Sequence, residues 1–448
     1  MQRCMQYAVE HNHEVKRAEW ELDSYKASRT GAVGRWLPSV NAGVGAQYNF
    51  GRAIDPETNG YTDVSTFYNG YSLNASLPIF DGFSRLHALR AAEASVLMGK
   101  SALRQQQDQT ALNAMQAFVQ VAYYEGLVEM AEEKVEETTL MLKQTRVLEE
   151  VGRKSATDVA QMESQQAEAD YELTHQRNLL ASALLELKKT MAFPLSDTLS
   201  LSMPKIAPKP TSPMSVDRLR GGRLTDIGEV GFGGVYSLSA DTSFSAGSCA
   251  VGQALNQAHP ELLSARYQMQ SAKHEWHQAR AELFPILSLS AGLSTTYYHT
   301  LHVPSASSFR NQFHNNMGEY IGATLSIPLF NRLQTLTGIR RAKNNYQMAC
   351  EAYEQKHLEL EKLSREAWMD WVGYQEQTEQ MQKKVAADSL AYRLTRRQFE
   401  EGLSTAIDLH TLSSQWLQSK ATLLQCQLMV VVKEQLVKYY RGEQIWTE

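Results

Sequence analysis

Cysteine is scarce here, with four in 448 residues. Cys4, Cys249, Cys350 and Cys426 share no short spacing, which argues against both a disulfide framework and a zinc site. They leave the redox compartment open. Long apolar runs are missing as well: none approaches the roughly 18 to 20 residues of a membrane helix. Met1 to Glu10 lacks the apolar core of an export signal and already reads as helical. The sequence is therefore either a mature or trimmed form of an exported protein or that of a cytosolic one. The strands described below decide for the first. Excess charge is lacking too. The net charge is −5 with 21% charged residues, so no nucleic-acid partner is indicated. Chemistry-bearing patterns are also absent. His274-Glu275-Trp276-His277 places its histidines at i and i+3, which is not the zincin spacing. His299, His302 and His314 sit in a polar loop whose character explains them. The Gly-rich stretch 221–247 has no Lys-Ser/Thr of a phosphate loop, and no nucleophile–histidine arrangement emerges from local spacing. These absences point away from an enzyme and imply no cofactor and no metal.

What the chain does contain is a duplication. Leu77-Pro78-Ile79-Phe80-Asp81 returns as Ile327-Pro328-Leu329-Phe330-Asn331. Glu150-Val151-Gly152, followed by Asp158, returns as Glu400-Glu401-Gly402, followed by Asp408. The spacing predicts a first repeat over 1–193 (a helix, a β-hairpin at 39–80, a long helix at 84–150 and a return helix at 155–190). A second repeat over 251–448 has a helix, a hairpin at 286–330, a long helix at 335–401 and a return helix at 404–440. Between them, 194–250 reads as linker, extended where prolines cluster, with weak strand character over 221–247.

Four segments alternate with period two. In 39–50, Val40, Ala42, Val44, Ala46, Tyr48 and Phe50 oppose Ser39, Asn41, Gly43, Gly45, Gln47 and Asn49. In 69–77, Tyr71, Leu73, Ala75 and Leu77 oppose Gly70, Ser72, Asn74 and Ser76. The second repeat sets Leu287, Leu289, Ala291, Leu293 and Tyr297 against Ser288, Ser290, Gly292 and Ser294. It then sets Ile321, Ala323, Leu325 and Ile327 against Tyr320, Gly322, Thr324 and Ser326. The lengths, about 9 to 12 residues, suit tilted strands crossing an outer-membrane-type bilayer. The small polar faces suit a wet lumen, and the long loops 51–68 and 298–316 suit its outer side. An ordinary soluble sheet also alternates, but does not require that uniform length. In lipid an open sheet edge leaves backbone groups unsatisfied at several kcal/mol each. Four strands therefore need further copies: two chains supply eight strands and three supply twelve, and edge counting alone allows both.

The helices are long. Residues 84–150 contain no proline and only two glycines, Gly99 and Gly126, and good helix formers dominate. About 67 residues at 1.5 Å each give a rod of roughly 100 Å. Heptad spacing is imperfect: Tyr346, Tyr353, Leu360, Ala367 and Tyr374 recur every seven residues, but the intermediate positions are half polar. Such a narrow stripe suits helices side by side around something wet rather than a tight coiled coil. Gly152 and Gly402 mark the rod ends. Ser155 or Thr157, and Ser404 or Thr405, are the N-cap candidates of the return helices. A short leading helix and a return helix end to end match one rod, which predicts a cylinder of helices about 100 Å long joined to a barrel.

These features resemble the TolC-type outer-membrane efflux proteins. The resemblance is carried by Arg35-Trp36-Leu37-Pro38-Ser39 and Glu282-Leu283-Phe284-Pro285-Ile286, by both Pro-x-Phe strand ends, and by both helical-tip turns, in duplicated order over nearly the whole chain. It implies a mixed α/β membrane protein. Each protomer would give four antiparallel transmembrane β-strands and long α-helical hairpins. A homotrimer would form a 12-stranded β-barrel joined to a periplasmic α-helical tunnel. It further implies a lipid bilayer, a periplasmic adaptor protein and an inner-membrane transporter of RND or ABC type as partners. The family's Val-Gly-Leu tip motif, which contacts the adaptor, matches Val151-Gly152-Arg153 and Glu401-Gly402-Leu403, with Arg and Glu as departures. Asp158 and Asp408 match acidic positions at the family's constricted entrance. A further acidic position is Thr411 here, and a lock arginine is Ser404. Six such carboxylates from three protomers would favour cations, with Arg153 and Lys154 partly neutralising them. Each Asp also has a plainer role at a helix N-terminus, and the two are compatible. The implied function is passive exit through the outer membrane of cargo from an efflux pump, or of secreted protein in a type I system. A trimeric adhesin also builds twelve strands from three chains, but its strands lie together at the C-terminus, whereas 440–448 here is not a strand. A soluble coiled-coil scaffold leaves the alternating segments unexplained.

Overall fold

The computed structural model describes residues 1–54, 60–63, 65–199, 259–300 and 308–446. The expected linker beyond residue 199, its strand-like stretch 221–247, and His302 lie outside these residues.

The chain divides into two compact units. One takes 21–100 and 264–354, and contains the sheet. The described elements in chain order are α1 (Gln2–His11), α2 (His13–Gly34), β1 (Ser39–Asn49), β2 (Arg52–Ile54), β3 (Tyr61–Asp63), β4 (Thr66–Phe80), α3 (Ser84–Glu150), α4 (Ala156–Thr190), α5 (Pro260–Ala281), β5 (Ile286–Thr300), α6 (Phe309–Asn315), β6 (Gly318–Ser326), α7 (Gln334–Glu400) and α8 (Ala406–Tyr440). The four long strands form one antiparallel sheet in the order β1-β4-β5-β6, so β1 and β6 are its edges. Among the described residues no helix is long and apolar enough to cross a membrane.

Several elements differ from the sequence-based expectation. The single leading helix is two helices. Asn12 takes an extended backbone (ψ 137°), and its side chain accepts from the Glu14 amide at 2.7 Å and donates to the Thr190 carbonyl at 2.9 Å. The side chain offers the backbone an alternative to the helix ladder, which breaks it without proline or glycine. The loop expected over 51–68 holds the β2–β3 ribbon and the first residues of β4. The loop over 298–316 holds the end of β5 and all of α6. The second hairpin stops at Ser326, so Pro328, Leu329 and Phe330 lie outside any strand. Their counterparts Pro78 to Phe80 stay within β4, where a register shift accommodates the proline.

The strand-to-helix corners repeat at the backbone level. Gly82 and Phe83 have φ of 66° and 70°, and Arg332 and Leu333 have 56° and 65°. At the first corner a Cβ on Gly82 would stand 2.6 Å from the Ala281 carbonyl oxygen and 2.7 Å from Phe284, so glycine is required there by space as well as by dihedral. Asp81 caps α3 by accepting from the Arg85 amide at 3.1 Å. It also pairs with the Arg85 guanidinium at 2.9 Å, and both side chains are largely buried. Asn331 and Thr335 make the corresponding contacts with neutral groups.

The other unit takes 1–20, 101–263 and 355–448, and carries two apolar cores. The larger joins Met5, Ala8 and Val9 of α1 to Leu112, Met115 and Phe118 of α3, Leu187 of α4 and Val432 and Tyr439 of α8. The C-terminal segment is tied to it: the Trp446 indole donates to buried Asp108 at 2.9 Å and Arg104 donates to the Gly442 carbonyl at 3.0 Å. Burial raises the Asp108 carboxyl above its ordinary pKa, against the Trp446 hydrogen bond and the Arg104 charge. The smaller core groups Met141, Met162, Tyr392, Phe399, Ala406 and Leu409.

Candidate functional site

The residues singled out from the sequence fall in two regions: the faces of the sheet, and the turns α3–α4 and α7–α8. The ladder registers bring the four alternating segments together. Val40, Ala75, Ala291 and Ile321 form one cross-strand row, and Ala42, Leu73, Leu293 and Glu319 another. Glu319 apart, this is the apolar face, and it is open to the surroundings: Val44 is 73% exposed and Ile321 82%. The opposite face carries the rows Ser39-Ser76-Ser290-Gly322, Asn41-Asn74-Gly292-Tyr320 and Gly43-Ser72-Ser294-Gly318. Along these rows every side chain is uncharged. Ser39 and Ser76 share a hydroxyl–hydroxyl bond of 2.8 Å. Tyr320 donates to Asn74 at 3.3 Å across the sheet.

β5 outlasts β6, whose pairing ends at the Ser294–Gly318 pair. Beyond it α6 supplies a substitute ladder. The buried Gln312 amide accepts from the Tyr298 N–H at 3.0 Å and donates to the Tyr298 carbonyl at 3.1 Å. Asn316 donates to the Thr296 carbonyl at 2.8 Å. Side-chain amides mimic the missing strand and so satisfy groups that are costly to leave unpaired. Phe313 packs edge-on against Tyr71.

Each turn is a Schellman motif. Gly152 has φ 72°, its amide donates to the Glu149 carbonyl, and the Arg153 amide donates to the Leu148 carbonyl, both at 2.8 Å. Gly402 has φ 81°, with its amide on the Phe399 carbonyl (3.0 Å) and Leu403 on Gln398 (2.8 Å). Val151, Arg153, Glu401 and Leu403 are exposed around these glycines, Leu403 at 76%. Of the N-cap candidates, the structure selects Ser155 and Thr405, each closing a capping box with an aspartate. Asp158 accepts from the Ser155 amide at 3.0 Å and hydroxyl at 2.8 Å. Asp408 accepts from the Thr405 amide at 3.2 Å and hydroxyl at 2.6 Å, and from the Ser404 hydroxyl at 3.5 Å. The bonds from Ser155, backbone first, hold the Asp158 carboxyl below the ordinary carboxylate range, helped by the Lys154 charge. The Thr405 hydroxyl and amide do the same for Asp408.

Lys154 has a partner that sequence reasoning missed. Its ammonium stands 4.0 Å from the ring centroid of buried Phe399, in the last turn of α7. This cation–π contact links the two turns. Further links are Gln165 donating to the Ala406 carbonyl at 3.3 Å and Arg396 pairing with Glu137 at 3.8 Å. The aromatic one turn before Gly402 was a signal, but nothing in the spacing said which cation would cover it. Lys134 on α3 and Lys384 on α7 each donate to a buried serine of α8, Ser413 and Ser419. Burial draws the Lys134 ammonium down and the neighbouring Glu137 carboxyl up, each towards neutrality. Among the described residues no group of histidine, cysteine and carboxylate side chains could hold a metal ion.

The profile of the outer membrane efflux protein family matches residues 4–192 and 251–438. No curated protein matches the sequence. Solved structures do match in fold. CusC is 16% identical, with a TM-score of 0.78, over 98% of this chain and 91% of that one. VceC of Vibrio cholerae is 14% identical, with a TM-score of 0.75, over 99% and 96%. The CmeC outer membrane channel of Campylobacter jejuni is 14% identical, with a TM-score of 0.75, over 98% and 85%.

Proposed function

We propose that this chain, which belongs to the outer membrane efflux protein family, supplies one third of a trimeric outer-membrane exit duct. The observation that carries this reading is the sheet: four strands whose two edges pair with no other strand among the described residues, an exposed apolar face and an uncharged polar one. In hydrocarbon the β1 and β6 edges must be paired, and single-chain barrels start at about eight strands. Three copies supply twelve. The apolar face then meets lipid and the Ser/Asn/Gly/Tyr face lines water.

The duct is passive and no residue acts as a catalyst. An inner-membrane pump of RND or ABC type hands cargo on through a periplasmic adaptor. The adaptor docks at the turns, on Val151, Gly152 and Arg153 of one and Glu401, Gly402 and Leu403 of the other. Asp158 and Asp408 face the narrow end, where six carboxylates favour cations. Arg153 and Lys154 temper that field, and opening proceeds by small helix shifts. Support for two-sided tips comes from the Lys154–Phe399 contact, which any separation of the two turns must break.

Two experiments test this. Bifunctional crosslinking of the protein in its membrane gives a covalent ladder that ends at the trimer; a ladder that ends at the dimer refutes the stoichiometry. In planar bilayers Asp408→Ala weakens block by multivalent cations; unchanged conductance and block remove its role at the aperture.

A further inference from the structure

The polar face of the sheet holds one bulky side chain in an unusual seat. Asn74, Gly292 and Tyr320 are direct neighbours across β4, β5 and β6. Tyr320 does not project from the sheet at its own strand. Its ring crosses over β5 and its hydroxyl donates to the Asn74 side-chain oxygen on the far side at 3.3 Å. The strand between is passable only because residue 292 has no side chain. A Cβ there would stand 2.2 Å from Cε1 and 2.7 Å from Cζ of the Tyr320 ring, and 2.8 Å from the Asn74 oxygen. Real contacts of that kind do not exist, so any larger residue must displace the ring. Glycine is otherwise unfavourable in a strand interior, and one there marks a close approach.

We infer that Gly292 is a recess that parks Tyr320 flat against the wall, and that this sets the free bore of the duct at mid-strand. The inference rests on the reading of the polar face as the lumen lining. Three-fold repetition puts three such rings at one level. Parked, they present their faces and leave the water column open. Released, they point inward together and narrow it. The Asn74 acceptor holds the ring down, and the neighbouring row of serines and glycines leaves space around it. The lining at this level is uncharged, so the recess acts on cargo by size and not by charge.

The readout must be local to the strands, because the helical tips also limit flow. Thr324 pairs with Ser288 on the same face, four residues further along β6 towards α7. A Thr324→Cys reporter is labelled from outside intact cells by impermeant maleimides of increasing size. Adding Gly292→Ala slows labelling by large maleimides and leaves the smallest unaffected. Adding Tyr320→Ser to that pair restores the rate. Should Gly292→Ala fail to reach the outer membrane, Asn74→Ala carries the test, since it frees the ring without filling the recess, and the same size-dependent slowing is expected. Equal labelling at all sizes with the ring displaced overturns the recess. A reporter that no maleimide reaches, in the otherwise unaltered chain, instead overturns the lumen assignment beneath it.

Discussion

The Asp81–Arg85 corner offers the sharpest energetic test, because the chain contains its own control. Asp81 Oδ2 lies 2.9 Å from Arg85 Nε and 3.1 Å from the Arg85 amide. The side chains are 16% and 10% exposed. Arg85 also donates to the Ile79 carbonyl at 3.3 Å and lies 4.7 Å from the Trp36 ring centroid. Asp81→Ala removes the helix cap and leaves a guanidinium with carbonyls and a ring face but no counter-charge. Breaking a buried pair costs about 3–5 kcal/mol, and the residual exposure places this one near about 3 kcal/mol. The second repeat solves the same corner with Asn331 and Thr335. Transplanting that solution, Asp81→Asn with Arg85→Thr, removes both charges together. The remaining loss is the cation–π contact and a weaker cap, about 1–2 kcal/mol. Guanidinium unfolding in detergent, followed by tryptophan fluorescence, measures both variants and each single substitution. A double variant costing as much as the sum of its singles, or Asp81→Ala costing under about 1 kcal/mol, refutes the argument.

Other outcomes follow from the helix ends and from α6. Ala192 holds φ 54° at the end of α4, in the Schellman position where α8 has Gly442; Ala192→Gly stabilises by about 0.5–1 kcal/mol and Gly442→Ala destabilises by about 1 kcal/mol in thermal unfolding. Ser155→Ala and Thr405→Ala each cost about 1 kcal/mol locally, read as faster amide exchange in the first turns of α4 and α8. The depressed carboxyls of Asp158 and Asp408 fix the direction with pH: the capping contribution is full above the ordinary carboxylate pKa and is lost as pH falls through the lower folded value, so the protection of the tip amides, taken relative to their intrinsic exchange rate at each pH, falls in acid and not in base. Gln312→Leu removes both side-chain hydrogen bonds to the Tyr298 backbone and costs about 1–3 kcal/mol, seen as reduced protection of the Tyr298 amide.

Periodicity made much of this fold legible. Ser/Leu and Asn/Val alternation announced the four strands, because side chains on a pleated ladder must alternate. The scarcity of glycine and proline after Ser84 announced the long helix, and Gly152 and Gly402 its kind of ending. What stayed hidden depends on single side chains acting on distant backbone. Asn12 breaks a helix that composition alone would continue, because its amide reaches Thr190. Gln312 and Asn316 stand in for a strand from inside what reads as a loop. Ala192 occupies a backbone region that favours glycine, so nothing in its type marks the helix end. At the tips, the aspartates were legible as supports of the helix N-termini, but the seat of Lys154 on Phe399 pairs residues 245 positions apart, which no local pattern encodes.

The duplication repeats backbone more faithfully than chemistry. α3 spans Ser84–Glu150 and α7 Gln334–Glu400, while α4 spans Ala156–Thr190 and α8 Ala406–Tyr440, so each boundary recurs at one offset. The left-handed corners at 82–83, 152 and 192 recur at 332–333, 402 and 442. Side chains at those corners diverge: an ion pair against a neutral pair, Val-Gly-Arg against Glu-Gly-Leu, Lys154 against Ser404. Backbone corners resist change because few residues tolerate φ > 0 and because a helix end must satisfy its carbonyls. Exposed tip residues bear no such constraint. The two turns of one chain thus expose different groups, Val151 and Arg153 at the first and Glu401 and Leu403 at the second. Under the proposed docking, a partner would meet two chemically distinct grooves. Exchanging Arg153 and Leu403 should preserve folding, since both lie outside the capping bonds except for their amides, while impairing docking. Equal crosslinking of a partner to both tips after the exchange would show that the grooves are equivalent.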